Sequence, residues 1–438
     1  MDDEDTDPND TERPFTVTRA ADRSADPHTP LEPTTPQHTR FAALGSRNFR
    51  LYMIGQAVTT TGLWVQRIAQ DWLVLSLTGS ATAVGITTAL QWAPILIFGL
   101  VGGWIADHYP KRRVLQITQT AAAVLAAILA ALTLTHQVTG WHVQLFAAGL
   151  GTVAAIEQPV RQAFLTDLVT RNQIRSAISL SYSVFYLGNF AGPAISGVLI
   201  TAVGPGWAFA LNAVAYVAPL TALARIDPDP IRPQHCSRST ISAPEELGTV
   251  LLRPEVWRPM VMCGAISMFS LNMPVILTTF ARAADSGPAG YALLTSCLAL
   301  GSVLGGIVSA GRTSTTLRTL TLTGYALAAV YALSALMPTL WSFACALVAI
   351  GTFSTHFFTA SNTTVQLSAG RTLRGRVMSV YLLVFAGSAA IGGPLLGIIV
   401  QHLGARTSLL FAGLVPFSTF LLISLPHALN RSHRDPVR

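Results

Sequence analysis

Four ionisable residues sit inside long apolar runs: Arg67 and Asp71, then Glu157 and Arg161. Each acid–arginine pair is spaced i, i+4, which puts both groups on one face of a helix. An ionisable side chain in hydrocarbon costs at least ~2.5–3.5 kcal/mol at mid-helix, so it turns toward a cavity or a partner. A carboxyl group held this way can carry a proton, and the arginine beside it can answer its charge. Gln56, Gln66 and Gln70 accompany the first pair and Gln158 the second. Each pair reads as a proton-coupling candidate or as a structural ion pair, and the sequence leaves both open. From residue 258 to residue 426 the only acid is Asp285. Any proton-carrying carboxylate therefore has to come from the first half of the chain.

The elements that position these residues are apolar helices. The chain has 438 residues, 51% hydrophobic and 11% charged, with a mean hydropathy of +0.48. An average soluble domain carries roughly 25% charged residues. Soluble enzymes, nucleic-acid binders and disordered proteins are excluded on that ground. The working unit is instead the ~20-residue apolar helix. Hydropathy places twelve spans at 50–77, 82–106, 114–135, 142–165, 177–202, 206–224, 258–281, 289–311, 318–337, 340–365, 377–402 and 405–426. The expected organisation is a disordered acidic tail (1–40) and a six-helix bundle (41–225), then a polar linker (226–256). A second six-helix bundle (257–427) and a short tail (428–438) complete it. The expected fold class is all-α: a polytopic membrane protein of twelve helices in two pseudo-symmetric bundles.

Arginine and lysine bias in short loops orients such a chain. With the N-terminus inside, the cytoplasmic loops hold Lys111, Arg112, Arg113, Arg171, Arg175, Arg312, Arg318, Arg371, Arg374 and Arg376. The linker adds Arg225, Arg232, Arg238, Arg253 and Arg258, while the external loops hold only Arg282 and Arg406. Ten plus five against two puts both termini and the linker in the cytoplasm. On this orientation Arg67 and Asp71 lie toward the external side. Glu157 is ~22 Å along the fourth span from residue 142, nearer the cytoplasm. The N-terminus reads MDDEDTDPNDTERP and has no secretory-signal pattern. The four cysteines, Cys236, Cys263, Cys297 and Cys345, have no zinc-site spacing and imply no pairing.

An internal repeat supports the six-plus-six division. Gly192-Pro193 recurs as Gly393-Pro394, Arg175 as Arg376, and Gly102-Gly103 as Gly305-Gly306. A repeat that keeps orientation relates two parallel bundles by an axis along the membrane normal, with a substrate site between them near the midplane.

Two motifs carry a family resemblance. The loop after span 2 reads Gly103-Trp-Ile-Ala-Asp107-His-Tyr-Pro110-Lys111-Arg112-Arg113, and span 5 reads Gly188-Asn-Phe-Ala-Gly192-Pro193-Ala-Ile-Ser196-Gly197. The first resembles the Gly-x-Leu-Ala-Asp-Arg-x-Gly-Arg-Lys gating loop of the major facilitator superfamily, with His108 for an arginine and Pro110 for a glycine. The second is similar to its antiporter-associated Gly-x-x-x-Gly-Pro-x-x-Gly-Gly motif, with Ser196 for a glycine. Small residues let helices approach and proline permits a kink. Asn48-Phe49-Arg50-Leu51, Gln158-Pro159-Val160-Arg161-Gln162-Ala163, Gly206-Trp207-Ala208-Phe209 and Arg374-Gly375-Arg376-Val377-Met378-Ser379 look like a bacterial efflux subfamily. That subfamily includes enterobactin-type siderophore exporters and macrolide efflux proteins. Leu145 stands nearest the position where drug–proton antiporters often carry an arginine. The resemblance implies that spans 1, 4, 7 and 10 line a central cavity and that Asp107 anchors an inner gate.

The expected substrate surface mixes aromatic and polar groups: Gln91, Trp92, Tyr182, Tyr186, Asn272, Phe357 and Asn362. Each also reads as ordinary helix packing. Together they suit an amphipathic small molecule such as a drug, siderophore or secondary metabolite. The chain has no phosphate-binding loop, His-Glu-x-x-His or nucleophile elbow, so it is not expected to be an enzyme. The expected energy source is a proton gradient, with no cofactor or metal. The expected partners are a small-molecule substrate and the lipid bilayer, without nucleic acid, around a monomer in the bacterial cytoplasmic membrane. The alternatives are a facilitator or importer of the same topology, or a receptor that does not transport.

Overall fold

The structure, a computed structural model, describes residues 42–170, 173–226, 244–310 and 316–432. The expected acidic tail, most of the linker, Arg171, Arg312 and residues 433–438 lie outside the described residues. So do the side chains of Arg175 and Arg371. The described residues hold no strand.

The helices are α1 (Arg47–Thr78), α2 (Ala81–His108), α3 (Lys111–Leu134), α4 (Gly140–Asp167) and α5 (Ile174–Val203). Next come α6 (Pro205–Ala215, continued as Val217–Arg225) and α7 (Pro254–Ser270, continued as Met273–Ala283). Then α8 (Gly287–Ala310), α9 (Leu317–Ser334) and α10 (Leu340–Ser368) follow. Gly370–Ser432 is continuous helix except at Gly404, whose φ of 85° turns the chain. The arms before and after that glycine are α11 and α12. Local chemistry explains many of the boundaries. Ser46 and Ser80 accept backbone N–H bonds at the starts of α1 and α2, and Thr339 forms a capping box with Ser342 at the start of α10. Gly79 ends α1 at a φ of 66°, a left-handed position that suits glycine.

Two boundaries differ from the hydropathy reading. A short helix, Pro244–Leu251, lies within the expected linker, and α7 begins at Pro254 rather than 258. Helix α11 begins at Gly370 rather than 377, so Arg374 and Arg376 belong to its first turns. Charged first turns carry no apolar signal, and hydropathy therefore trims them.

The twelve traversals alternate between two ends. One, here the basic end, carries Lys111, Arg112, Arg225, Arg253 and Arg374; the far end carries Gly79, Gly140, Gly204, Asp285 and Arg406. Long apolar helices that meet the criteria for crossing a membrane cover most traversals; α1, α4 and α9 fall short. Helices α1 and α4 are the two that hold the intramembrane charges. Large apolar side chains such as Ile97, Leu100, Val198, Ile307 and Leu422 are exposed along the helices. Trp141, Trp207 and Trp341 are exposed at the far end, and Trp104 and Tyr109 at the basic end. Apolar walls bounded by aromatic rings match a bilayer with its two interfaces. The chain is a multi-pass membrane protein.

Lipid offers little hydrophobic gain for helix association, so close small-residue contacts have to hold the bundle together. The repeat is visible in those contacts. A Cβ on Gly151 of α4 would lie 2.8 Å from the Leu90 carbonyl oxygen of α2, and one on Gly351 of α10 would strike the Leu298 carbonyl of α8. Gly102 of α2 sits the same way against Ala155 of α4, and Gly305 of α8 against Thr352 of α10. The same close seam thus appears once in each half.

Between the halves the close contacts lie from the far end to mid-helix. Gly85 of α2 meets the Gly393 carbonyl of α11, Gly397 meets Thr82, and Gly197 of α5 meets Ala292 of α8. The Ala81 N–H donates to Gln401 Oε1 at 2.8 Å, and Arg282 Nη1 donates to the Leu75 carbonyl at 3.3 Å. At mid-level Trp92 of α2 packs edge-on against Phe385 of α11, with ring centroids 6.1 Å apart. The Ala81–Gln401 and Arg282–Leu75 hydrogen bonds between the halves lie at the far end.

Candidate functional site

Helix α1 carries polar groups that hydrocarbon would not tolerate unsatisfied. Gln70 and Gln66 reach other helices, while Gln56 bonds within α1. Gln70 Nε2 donates to the Val143 carbonyl of α4 at 2.9 Å. Asn212 of α6 donates to Gln66 Oε1. Gln56 Nε2 donates to Thr60 Oγ1 at 3.2 Å. The polar face of α1 is thus sewn into its own half by glutamines.

Asp71 is 3% exposed. The i, i+4 spacing suggested Arg67 as its partner, but no ion pair joins the two among the described residues. Instead the Tyr291 hydroxyl of α8 donates to Asp71 Oδ2 at 3.1 Å, across the boundary between halves. Tyr291 is fully buried and its ring stacks on Trp72 at 6.2 Å. Asp71 Oδ1 has no hydrogen-bond partner among the described residues. The acid is therefore part of the far-end seam.

Arg67 is half-buried and takes a different environment. Its guanidinium carbon lies 5.2 Å from the ring centroid of Trp64 and 5.8 Å from that of Trp92. Both are cation–π distances. Trp64 in turn meets Phe185 of α5 edge-on at 5.9 Å, and Phe385 meets Phe358 of α10 at 5.2 Å. Arg67 thus stands at mid-level among aromatic rings from both halves. Trp64, Trp92, Phe358 and Phe385 are half-buried and Phe185 is 39% exposed. That pattern suits the wall of an internal cavity.

The second pair is looser. Glu157 and Arg161 are both half-buried. Arg161 donates to Gln158 Oε1 at 3.4 Å. The polar groups near Glu157 include Arg161, the buried Gln119 of α3, Tyr52 and Tyr216.

The expected gating loop is tied within its own half. Lys111 Nζ pairs with Asp167 Oδ2 at 2.6 Å, joining the start of α3 to the end of α4. Arg112 donates to the Ala224 carbonyl of α6 at 3.0 Å. Asp107 and Arg113 are exposed, and Asp107 has no ion-pair partner among the described residues. The expected anchoring role of Asp107 finds no contact in this conformation; Asp167 receives the lysine. A Cβ on Gly103 would meet open space, and Gly102 is the glycine packed against α4.

The α5 motif is a packing surface. A Cβ on Gly188 would lie 2.9 Å from Thr60 of α1, and one on Gly192 would strike Trp64. Pro193 is buried, and Ser196 donates to the Val65 carbonyl at 3.0 Å where the motif has glycine. Gly197 faces the other half. In the repeat, Arg374 Nε donates to the Gln366 carbonyl at 3.3 Å, Gly375 faces open space, and half-buried Pro394 follows the tightly packed Gly393.

Several expected cavity residues sit elsewhere. Phe357 is fully buried and stacks on Phe420 of α12 at 6.0 Å, so it belongs to the core of the second half. Asn272 is fully buried at the break in α7, donating to the Met268 and Ala389 carbonyls at 2.8 and 2.9 Å. Pro274 removes a backbone donor there, and Asn272 stitches the break to α11. Gln91 is buried; Trp92 and Tyr186 are half-buried, and Tyr182 is 54% exposed. Half-buried Asn362 accepts from Gln366 at 2.8 Å. The sequence reading lacked Trp64, Phe185, Tyr291, Phe358 and Phe385. Phe185, Tyr291, Phe358 and Phe385 meet partners on other helices, which local spacing does not mark, whereas Trp64 lies three residues before Arg67, a spacing that could have found it.

Two repeated six-helix halves, in contact from the far end to mid-helix beside the buried Asp71, define the major facilitator class. The chain belongs to the family described as transmembrane secretion effectors, which it matches over residues 38–434. It is 33% identical to the staphyloferrin A transporter of Staphylococcus aureus over 156 residues, 35% of this chain and 39% of that protein. It is 23% identical to the enterobactin exporter EntS of Salmonella typhimurium over 261 residues, 60% of this chain and 63% of that one. The chain therefore spans less than two thirds of these relatives' lengths. Among solved structures it resembles a bacterial homologue of the human lysosomal transporter Spinster in an inward-facing, occupied conformation. The TM-score is 0.68 at 14% identity, covering 88% of this chain and 97% of the other. It likewise resembles the nucleoside transporter NupG, with a TM-score of 0.66 at 12% identity, covering 86% and 99%. These likenesses concern the fold.

Proposed function

We propose that this protein is a secondary active exporter. It moves an amphipathic small molecule out of the cytoplasm by alternating access, with protons returning in exchange. The observation that carries this reading is the seam between the halves, which runs from the far end to mid-helix and includes the Asp71–Tyr291 hydrogen bond. The halves are two packed bodies whose close contacts run from the far end to mid-helix, which suits rocking. The basic end is assigned to the cytoplasm by arginine and lysine bias, so the cavity opens inward and loads from inside. On this reading the protein is multi-pass in the bacterial cytoplasmic membrane, works as a monomer, and keeps both termini inside. Two relatives are named for staphyloferrin A and enterobactin, which supports an organic cargo of the siderophore class. Asp71 and Glu157 are the acids available to carry protons, at two depths of the first half.

The test is efflux from cells expressing the chain, over a panel of cationic, neutral and anionic fluorescent amphiphiles. At least one is extruded, and a protonophore abolishes the extrusion. Extrusion that persists with the protonophore removes the proton from the account.

A further inference from the structure

We infer that Arg67 is the anchor of a binding site for an organic anion, in which a carboxylate docks on the guanidinium and an aromatic or apolar body lies among the surrounding rings. This rests on the proposed transport reading and names the substrate class at the same site. Three observations support it.

First, Arg67 has no ion-pair partner among the described residues, although Asp71 is one turn away; Asp71 is held by Tyr291. Asp71 is near enough to act on Arg67 through space but makes no direct ion pair with it, so the guanidinium is short of acceptors, and a ligand carboxylate supplies them. Second, the Trp64 and Trp92 rings face the guanidinium at 5.2 and 5.8 Å. Stacking on ring faces still leaves the planar N–H edge of an arginine free for two-point hydrogen bonding to a carboxylate. Third, a neighbouring donor lacks an acceptor. Trp64 Nε1 is buried and has no hydrogen-bond partner among the described residues. Buried polar groups are nearly always satisfied. A guanidinium and the indole N–H of the ring stacked on it call for a ligand with acceptor oxygens.

The rings set the rest of the chemistry. Phe185 reaches the site from α5 and Phe385 from α11, so both halves contribute apolar surface around the one cation. A ligand lying between them touches both rocking bodies, which is what a transported molecule must do.

The experiment is calorimetric titration of the full chain in nanodiscs with three probes of one shape: 2-naphthoate, 2-naphthamide and 2-naphthylmethylammonium. The expected result is naphthoate binding at least tenfold tighter than the amide, with the ammonium weakest. Arg67→Gln brings naphthoate to the level of the amide, and Arg67→Lys keeps part of the preference because charge survives without the two-point edge. Trp92→Leu weakens naphthoate several-fold. Equal affinities, a preference for the ammonium, no binding of naphthoate, or an unchanged preference in Arg67→Gln overturns the proposal. Naphthoate flux in proteoliposomes separates this from the transport reading. Arg67-dependent binding without flux keeps the anion site and removes transport. Flux of other panel compounds together with equal probe affinities keeps transport and removes the site.

Discussion

A single hydroxyl, that of Tyr291, connects the buried acid of one half to the other half. Leaving a buried polar group without its partner costs about 1–3 kcal/mol. Tyr291→Phe removes the only donor to Asp71 among the described residues, and a change near 1.4 kcal/mol shifts a two-state population tenfold. Spin labels at Thr78 and His402, both exposed at the far end, report the result. The parent protein is expected to give one short distance, and Tyr291→Phe an added longer population. Asp71→Asn and Glu157→Gln are expected to slow energised efflux, and full activity in both would remove them as carriers. At the basic end, Asp167→Asn leaves Lys111 without its partner and is expected to lower the melting temperature of the purified protein. Asp107→Asn, with no partner to lose, is expected to leave it unchanged. The i, i+4 rule correctly put Arg67 and Asp71 on one helix face. It did not foresee that cross-helix partners would claim each of them, because a tyrosine 220 residues away leaves no mark on local spacing.

Helices divide into those that hold a half together and those that meet across the boundary. The glycine seams of α2 with α4 and of α8 with α10 belong to the first kind. Overpacking a close contact costs typically 1–3 kcal/mol. Gly151→Val and Gly351→Val are therefore expected to lower thermal stability. Gly85→Val acts at the second kind of seam, against Gly393. Its expected effect is to prop the far end open, lengthening the Thr78–His402 distance with a smaller loss of stability. Hydropathy located every traversal, because apolar length is a bulk property that needs no knowledge of partners. It was weakest on charged helix starts such as Gly370–Arg376, and it could not see that α6 and α7 are interrupted. Phe357 and Asn272 illustrate the remaining gap. Residue type marked them as cavity groups, but the helix face each occupies, set by packing on α12 and α11, placed them in structural roles.

Over the whole molecule, the scarcity of charge becomes informative. The basic residues crowd one end, and the charged groups within the spans gather in the first half at Arg67, Asp71, Glu157 and Arg161. Moving one charge across a membrane is worth about 2.3 kcal/mol per 100 mV, so an anion bound at Arg67 would leave an inside-negative cell with help from the potential. On the proposed reading, proton return would add to that drive. The repeat supplies two bodies of similar build. The central claim is energised export, and flux in inverted membrane vesicles tests it most directly. Vesicles carrying the parent chain and energised with an acid interior are expected to accumulate a panel amphiphile, to lose it when a protonophore is added, and to accumulate it far more slowly with Asp71→Asn. Accumulation that ignores the protonophore and the substitution alike, or no accumulation of any panel compound, would contradict the account.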